Sequence, residues 1–259
     1  MMKAVFISDA HLKLAADERY VQLIHFLADL REGKIKSLVD AGETGSEQTA
    51  IDDLYILGDF FDFWFCRKDH IHPEFRPVIS CLVELQKSGV RIHLCEGNHD
   101  FFMEEYFNDV LGMEVFEEWA DIKLDHLRVL VGHGDTADHG DRTYRMFRKI
   151  LRSRIFYHIQ RFVPASIRWG LAGLTSNASK QLNDDNSDYL VERMLSLAMK
   201  KFNSGYDAVI LGHCHKPVLR HFDGEGKKKT FVTLGDWIKH YSFLYYENGK
   251  FFMCYYPPR

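Results

Sequence analysis

The sequence predicts an α/β protein, because short apolar runs alternate with helical patterns. Five runs have the length and β-branched content of buried strands: KAVFI, DLYIL, VRIHLC, LRVLV and DAVIL. Helical patterns occur between some of them, at residues 18–32 and 74–88. In α/β proteins, ligand sites collect at the carboxyl ends of the strands. The residues that follow each run are therefore the first place to search for function.

Each of the five runs ends in a polar cluster that packing alone does not require. The clusters are Ser8-Asp9-Ala10-His11, Gly58-Asp59-Phe60-Phe61-Asp62, Glu96-Gly97-Asn98-His99-Asp100, Gly132-His133-Gly134-Asp135 and Gly212-His213-Cys214-His215. A glycine at a strand end permits a sharp turn that aims the next side chain inward. Gly58, Gly97, Gly132 and Gly212 stand where such turns are expected.

Taken singly these clusters are weak signals, because a lone histidine usually belongs to the surface or core. Together they supply seven oxygen or imidazole donors: Asp9, His11, Asp59, Asn98, His133, His213 and His215. That set suits two neighbouring divalent metal ions, with Asp59 as the bridging carboxylate. Without a thiolate, it favours manganese, iron or zinc over calcium or copper(I). Side chains alternate along an extended turn, so Cys214 is expected to point away, and its use as a ligand is the minor alternative.

Composition predicts an ordinary globular protein with a single domain and an insertion. The chain has 259 residues, 46% hydrophobic and 27% charged, with a net charge of −4, which disfavours a nucleic-acid-binding surface. Its five cysteines are scattered, without a C-x-x-C, which favours a reducing compartment. The N-terminal run is expected to be a strand, not a signal peptide. No stretch approaches the ~18 apolar residues of a membrane span.

The segment 142–183 is the expected insertion. It has no Asp or Glu but nine Lys and Arg residues, and Phe147, Leu151, Ile155, Ile159 and Val163 recur every four positions, which indicates a helix. One interpretation is a helical pair with a solvated basic face. The other is a lid that presents apolar and positive surface to an amphiphile on an anionic membrane. Elsewhere, residues 33–50 are expected to form a mobile surface loop, and TFVTLGDW and YSFLYYENGKFFMCYY to form antiparallel strands.

The ordered motifs D-x-H, G-D-x-x-D, G-N-H-D, G-H and G-H-x-H resemble those of the calcineurin-like metallophosphoesterases. The resemblance implies a four-layer αββα sandwich. It places Asp9, His11, Asp59 and His215 on one metal ion. It places Asp59, Asn98, His133 and His213 on the other.

A narrower resemblance rests on HGDTADHGDRTYRMFRKILR, SNASK and LGDW. These stretches look like the UDP-2,3-diacylglucosamine pyrophosphohydrolases of lipid A biosynthesis. The resemblance implies a cytoplasmic enzyme, peripheral at the inner membrane, that prefers Mn²⁺ and needs no protein partner. Its nucleotide-sugar-lipid substrate is cleaved at the α-phosphorus, and the insertion covers the acyl chains. By position, the implied substrate contacts are Asn98, His99, Asp141, Ser179, Lys180, Asn183 and His213.

His99 departs from this narrower pattern, in which many members carry arginine. In the wider superfamily a histidine at this position protonates the leaving group or contacts phosphate, so His99 is the candidate general acid. Its alternative role is only to hydrogen-bond neighbouring ligands. A lysine of the narrower pattern falls on Asn186, and Lys180 is the alternative phosphate contact.

Three other functions stay open. The first is a soluble phosphodiesterase or phosphatase acting on another nucleotide or phosphoester. The second is a metal-free scaffold, against which the intact ligand set argues. The third is a nuclease, which the acidity of the chain and the lack of a basic, aromatic groove disfavour.

Overall fold

The computed structural model describes residues 2–35, 39, 49–64, 71–137, 142–153, 155, 186–224 and 226–257. Within them the strands are β1 Lys3–Ile7, β2 Asp53–Leu57, β3 Arg91–Cys95, β4 Glu114–Phe116, β5 Trp119–Leu124, β6 Leu127–Gly132, β7 Ala208–Leu211, β8 Pro217–Gly224, β9 Lys227–Leu234, β10 Ser242–Glu247 and β11 Lys250–Tyr255. The α-helices are α1 Glu18–Arg31, α2 Arg76–Lys87, α3 Glu104–Phe107, α4 Arg142–Leu151 and α5 Ser187–Asn203. A 3₁₀ turn, Pro73–Phe75, leads into α2.

The strands form two sheets. In the first the order is β11-β10-β1-β2-β3-β4, and in the second it is β5-β6-β7-β9-β8. The central pairs β1–β2, β2–β3, β6–β7 and β7–β9 are parallel. The carboxyl ends of these strands consequently lie at a common edge of each sheet.

Three apolar layers hold the sheets and helices together. Val5 and Ile7 of β1 face the layer shared with α1 and α2, whereas Phe6 between them faces the layer between the sheets. A third layer joins the second sheet to α5, through residues such as Val209 and Met194. Because alternate side chains of a buried strand point to opposite faces, the five apolar runs fill two layers at once. The predicted αββα sandwich is confirmed.

All five predicted strands are present, and so are both predicted helices. The antiparallel pairing of β10 and β11 is also confirmed. TFVTLGDW, however, supplies part of β9, which is antiparallel to β8 but parallel to β7. The prediction of wholly antiparallel pairing there was wrong. It failed because β9 lies between β7 and β8 in the sheet, and its parallel partner β7 is separated from it along the chain by β8.

Of the expected insertion, the structure describes only residues 142–153 and 155, so its extent as a helical lid over 142–183 stays a prediction. Most of the expected loop 33–50 also lies outside the described residues. Met146, Ile150 and Ile155 are exposed, whereas Arg148 and Arg152 pair with acidic residues of the body. For these two arginines, the expectation of a solvated or membrane-facing charge was wrong. Among the described helices, none is both long and apolar enough to cross a membrane.

Candidate metal centre

The strand-end loops of both sheets meet at one place and bring the seven predicted ligands together. Backbone hydrogen bonds join the loops directly: Asp9 N–H donates to the Gly58 carbonyl, and Gly212 N–H donates to the His133 carbonyl. Within this region the ligands form two groups that share Asp59. We call them the first half-site (Asp9, His11, His215) and the second half-site (Asn98, His133, His213).

The first half-site is buried. His11 Nε2 lies 3.3 Å from His215 Nε2, which in turn lies 3.4 Å from Asp9 Oδ1. Relative exposure is 0% for Asp9, 1% for His11 and 4% for His215. Two imidazoles and a carboxylate therefore converge on a point that the core shields from water.

The second half-site is more open. His133 Nε2 lies 2.9 Å from Asn98 Oδ1 and 3.2 Å from His213 Nδ1. His133 is buried, but Asn98 and His213 are only half-buried. His133 is oriented by its other nitrogen, since Nδ1 lies 3.0 Å from the Leu57 carbonyl, to which it donates.

Asp59 lies between the half-sites. Its Oδ2 atom is 3.7 Å from His11 Nε2 and 3.5 Å from His133 Nε2. Its Oδ1 atom accepts a hydrogen bond of 2.8 Å from the His99 backbone N–H. One carboxylate is thus held in place by the third loop and reaches a ligand in each half-site.

These separations fit metal ligands. Two donors each about 2.1 Å from one ion lie about 3.0–3.4 Å apart in octahedral or tetrahedral geometry. The close pairs within each half-site fall in or near that range. In addition, the buried Asp9 Oδ1 has no hydrogen-bond partner among the described residues. An unsatisfied buried carboxylate oxygen is unfavourable unless a cation or a donor occupies the site.

Backbone conformation at the site is unusual. Five of the seven ligands have left-handed φ angles: Asp9 (54°), His11 (45°), Asp59 (50°), His213 (69°) and His215 (55°). Such a conformation is uncommon for residues with a Cβ, costs about 1–3 kcal/mol per residue and concentrates at functional sites. The folded body therefore holds these side chains in positions that the local chain does not favour.

The glycines of the motifs serve two purposes, and only one was expected. Gly58 has a φ of 83°, in keeping with the predicted sharp turn. Gly97 and Gly212 do not have positive φ angles; instead, a Cβ at Gly212 would lie 2.8 Å from Asp9 Oδ2, and one at Gly97 would collide with Asp59. At these two positions glycine provides room for the carboxylates and not a special turn.

The charged side chains of the site shift one another's pKa values. Burial would raise the pKa of Asp59, but the neighbouring His133 and His99 rings outweigh it and hold that pKa well below its usual range. Burial would lower the pKa of His133, yet the Asp59 carboxylate raises it to about 10. Burial, and then the charge of His133, lowers the pKa of His213 to about 4. Without metal, the second half-site therefore holds a proton on His133 that a bound cation would displace.

His99 lies beside the Asp59 carboxylate. Its Nδ1 atom lies 2.9 Å from the Asp62 carbonyl, so Nδ1–H donates there, and Nε2 lies 3.9 Å from Asp59 Oδ2. The ring packs edge-on against His11 and also contacts Phe63. His99 is thus oriented with Nε2 directed toward the space next to Asp59, which suits proton transfer to a bound group.

Two supporting carboxylates were missed in the sequence. Asp100 is fully buried and accepts hydrogen bonds from the N–H groups of Asp59, Phe60, Phe61 and Gly97, which fixes the second and third loops together. Asp62 Oδ1 lies 3.7 Å from His11 Nδ1, an ion-pair distance that is longer than a hydrogen bond. Both are the last residues of quoted motifs, so the available signal was their position in G-N-H-D and G-D-x-x-D.

The LGDW stretch supports the centre from behind. The Trp237 N–H donates to the Asp9 carbonyl, and the Trp237 ring is buried beside Phe26. Asp236 accepts hydrogen bonds from the backbone N–H groups of residues 238–240.

Cys214 is buried, and its thiol is directed to the Lys216 carbonyl at 3.7 Å. The predicted contacts Asp141, Ser179, Lys180 and Asn183 lie outside the described residues, and Asn186 precedes α5.

Comparisons with known proteins identify relatives and structural neighbours of this chain. The UDP-2,3-diacylglucosamine hydrolase of Proteus mirabilis is 28% identical over 238 residues, which cover 90% of this chain and 98% of the relative. The enzyme of the same name from Yersinia pseudotuberculosis is 27% identical over 237 residues, 91% of each chain. Among solved structures, Vps29 from Entamoeba histolytica, complexed with Zn²⁺, has 15% identity and a TM-score of 0.42, covering 99% of this chain and 100% of that one. Residues 2–217 match the model of the calcineurin-like phosphoesterases, and the chain belongs to this family.

Proposed function

We propose that this protein is a dinuclear-metal pyrophosphohydrolase that cleaves UDP-2,3-diacylglucosamine into UMP and 2,3-diacylglucosamine 1-phosphate. One observation carries the proposal: two groups of side chains with the donor atoms to hold a metal ion lie on either side of Asp59. They do so in a chain that aligns over nine-tenths of its length with relatives named as hydrolases of that compound.

In this proposal Asp9, His11 and His215 hold one ion, Asn98, His133 and His213 hold the other, and Asp59 contacts both. When bound, two adjacent divalent ions lower the pKa of a coordinated water and polarise a phosphoryl oxygen. The mixture of imidazole, carboxylate and amide donors suits Mn²⁺, with iron and zinc as the alternatives.

The reaction adds water across the pyrophosphate. A water oxygen forms a bond to the α-phosphorus, the bond from that phosphorus to the bridging oxygen breaks, and the bridging oxygen departs with the sugar 1-phosphate. In our proposal the doubly protonated His99 ring donates its Nε2 proton to that oxygen. The hydrogen bond from His99 Nδ1 to the Asp62 carbonyl keeps the ring in the required orientation.

The lipid part of the proposal rests on the relatives and on the insertion. We propose that Asn98, His99 and His213 contact the phosphate, since Asn98 and His213 are only half-buried, and that Asp141, Ser179, Lys180 and Asn183 contact the sugar and phosphate. In the described part of the insertion, Met146, Ile150 and Ile155 provide exposed apolar surface. We therefore propose that the protein works in the cytoplasm, peripherally at the inner membrane, where its amphiphilic substrate resides.

A second candidate is a soluble phosphodiesterase acting on another nucleotide or phosphoester. It is favoured by His99, which replaces the arginine of many members of the narrower group. The two candidates differ in their need for the insertion, since a small phosphodiester does not require apolar cover.

The test is an assay of the purified full-length protein, loaded with Mn²⁺, on UDP-2,3-diacylglucosamine in detergent micelles. Release of UMP and the lipid 1-phosphate in equal amounts is the expected result. If neither product formed while the same preparation hydrolysed bis(p-nitrophenyl) phosphate, the lipid substrate would be rejected and the second candidate retained.

A further inference from the structure

Helix α4 is tied to the metal-bearing loops by two arginines one turn apart. Arg148 Nε donates to Asp135 Oδ2 at 2.6 Å, two residues beyond His133. Arg152, just past the end of α4, pairs with Glu96 Oε2 at 2.8 Å, two residues before Asn98. Both arginine side chains are only 15% exposed. The described polar contacts of these two arginines thus include two of the loops that carry the second half-site, together with Glu117 and Glu118.

Arg152 makes the more elaborate set of contacts. One nitrogen of the guanidinium, Nη1, donates to Glu96 and also to the Glu117 carbonyl at 2.9 Å, and the other, Nη2, donates to the Gly97 carbonyl at 2.7 Å. A guanidinium presents several donors in one rigid plane and so fixes the relative position of its acceptors. The peptide that begins at the Gly97 carbonyl is the one that leads into Asn98.

Glu96 is held from both ends. It is 4% exposed, and its second oxygen, Oε1, accepts a hydrogen bond of 2.9 Å from the Met103 N–H. Removing Arg152 would leave this buried carboxylate without its cation, an unfavourable arrangement that the loop can relieve only by moving. Gly97 cannot move far without consequence, because it packs directly against Asp59. The contact with Asp59 limits this shift, so it would be felt mainly at Asn98, the next residue of the loop.

Among the described residues, no hydrogen bond or ion pair joins the insertion to the loops of the first half-site. Asp9, His11 and His215 are carried by loops of the two sheets and backed by Trp237. The influence of the insertion is therefore expected to be confined to one of the two ions.

We infer that Arg152 is a positioning residue through which the insertion sets the affinity of the second half-site for its metal ion. The inference rests on the proposed dinuclear centre and not on the lipid substrate. Docking of α4 completes the second half-site, and undocking weakens it.

The experiment is a titration of metal-free, full-length protein with Mn²⁺, in which free Mn²⁺ is followed by its solution EPR signal. Wild type should bind two ions. Arg152→Gln should bind the first ion with unchanged affinity and the second about tenfold more weakly, as is typical when a group that orients a metal ligand is lost. Arg152→Lys should give an intermediate loss, since an ammonium can satisfy some but not all of the three acceptors.

Arg220→Gln is the matched control, because Arg220 pairs with Glu192 at 3.0 Å on α5, away from both half-sites. It should bind two ions as wild type does. Glu96→Gln is a second variant that tests whether a folding defect explains the result. It removes the same ion pair and keeps the side-chain shape. It should also weaken the second ion selectively.

Wild-type affinity for both ions in folded Arg152→Gln and Glu96→Gln would overturn the inference, and so would equal weakening of both ions. Failure of the proposed substrate is a separate outcome. Two ions bound without UMP release would reject the lipid substrate only, while Arg152→Gln would still decide the role of Arg152. If wild type bound no ion, the dinuclear centre and this inference would both be rejected.

Discussion

The two half-sites use similar donors but differ in how the protein supports them. The first half-site lies within the body, where Asp9, His11 and His215 are at most 4% exposed. In the second, Asn98 and His213 are half-buried, and the loops before Asn98 and after His133 are tied to α4 by Arg152 and Arg148. If both half-sites hold ions as proposed, the first would be preformed and the second would depend on the insertion.

The two half-sites also differ in the backbone strain of their residues. All three ligands of the first half-site have left-handed φ angles, whereas in the second only His213 does. Strained residues persist where the surroundings over-determine them. The core supplies that restraint to the first half-site, and the second, at the open side, is built mainly from ordinary conformations.

Asp59 is the one ligand that the half-sites share, so Asp59→Asn should have the largest effect. The amide keeps the shape but removes the negative charge that faces His11 and His133, and we expect activity to fall at least about 1000-fold, which corresponds to ~4 kcal/mol. Elemental analysis should show loss of metal from both half-sites. Asp223→Asn, at an exposed position of β8, is the control. A variant that kept two ions and a tenth of the activity would show that Asp59 does not bridge.

His99 is not one of the predicted metal ligands. His99→Ala should therefore separate the effect on proton transfer from any effect on metal binding. We expect turnover of the pyrophosphate to fall about 100-fold, the lower end for loss of a general acid, with metal content unchanged. With a p-nitrophenyl ester, whose leaving group needs no proton, the loss should be much smaller. Equal losses on both substrates, or loss of metal, would assign His99 to support of the ligands and not to proton transfer.

The sequence was sufficient to predict most of the body. Runs such as KAVFI and DAVIL are apolar almost throughout because both faces of a central parallel strand are buried. Such strands can therefore be recognised from the sequence alone. The seven ligands were predictable because parallel strands end at one edge, so residues far apart in sequence meet there. Their assignment as metal ligands stays a prediction.

The support of the second half-site could not be predicted. Arg148 and Arg152 belong to a basic segment that, in sequence, suggested solvent or a membrane, and only tertiary contact shows their partners. Glu96 gave no signal, because a lone acid before G-N-H-D is equally compatible with exposure. Left-handed backbone at Asp9 and His11 was also hidden, since it is imposed by the body and not by local preference.

Protonation offers a finer test of the second half-site. His133 has a pKa of about 10 without metal, so at pH 7 its proton must leave when an ion binds, whereas His213, with a pKa of about 4, has none to lose. Affinity for the second ion should therefore rise about tenfold per pH unit between pH 7 and 8.5. Calorimetry in two buffers of different ionisation enthalpy should detect the released proton. In His133→Asn the pH dependence of that ion should vanish, and a flat wild-type profile would contradict the proposed charge state.

The smallest effect tests the difference in backbone strain. At His11, where φ is 45°, a glycine avoids the Cβ clash of the left-handed conformation, so His11→Gly should be more stable than His11→Ala by about 1 kcal/mol, or ~2–4 °C in Tm. At Asn98, whose φ is negative, the order should reverse, because glycine loses more backbone entropy on folding. Thermal unfolding of the four metal-free variants gives both differences, and each comparison removes the same ligand from both members of the pair. If glycine were favoured equally at both positions, the strain would not be concentrated in the first half-site. Backbone conformation would then no longer support the contrast between a preformed and an assembled ion site.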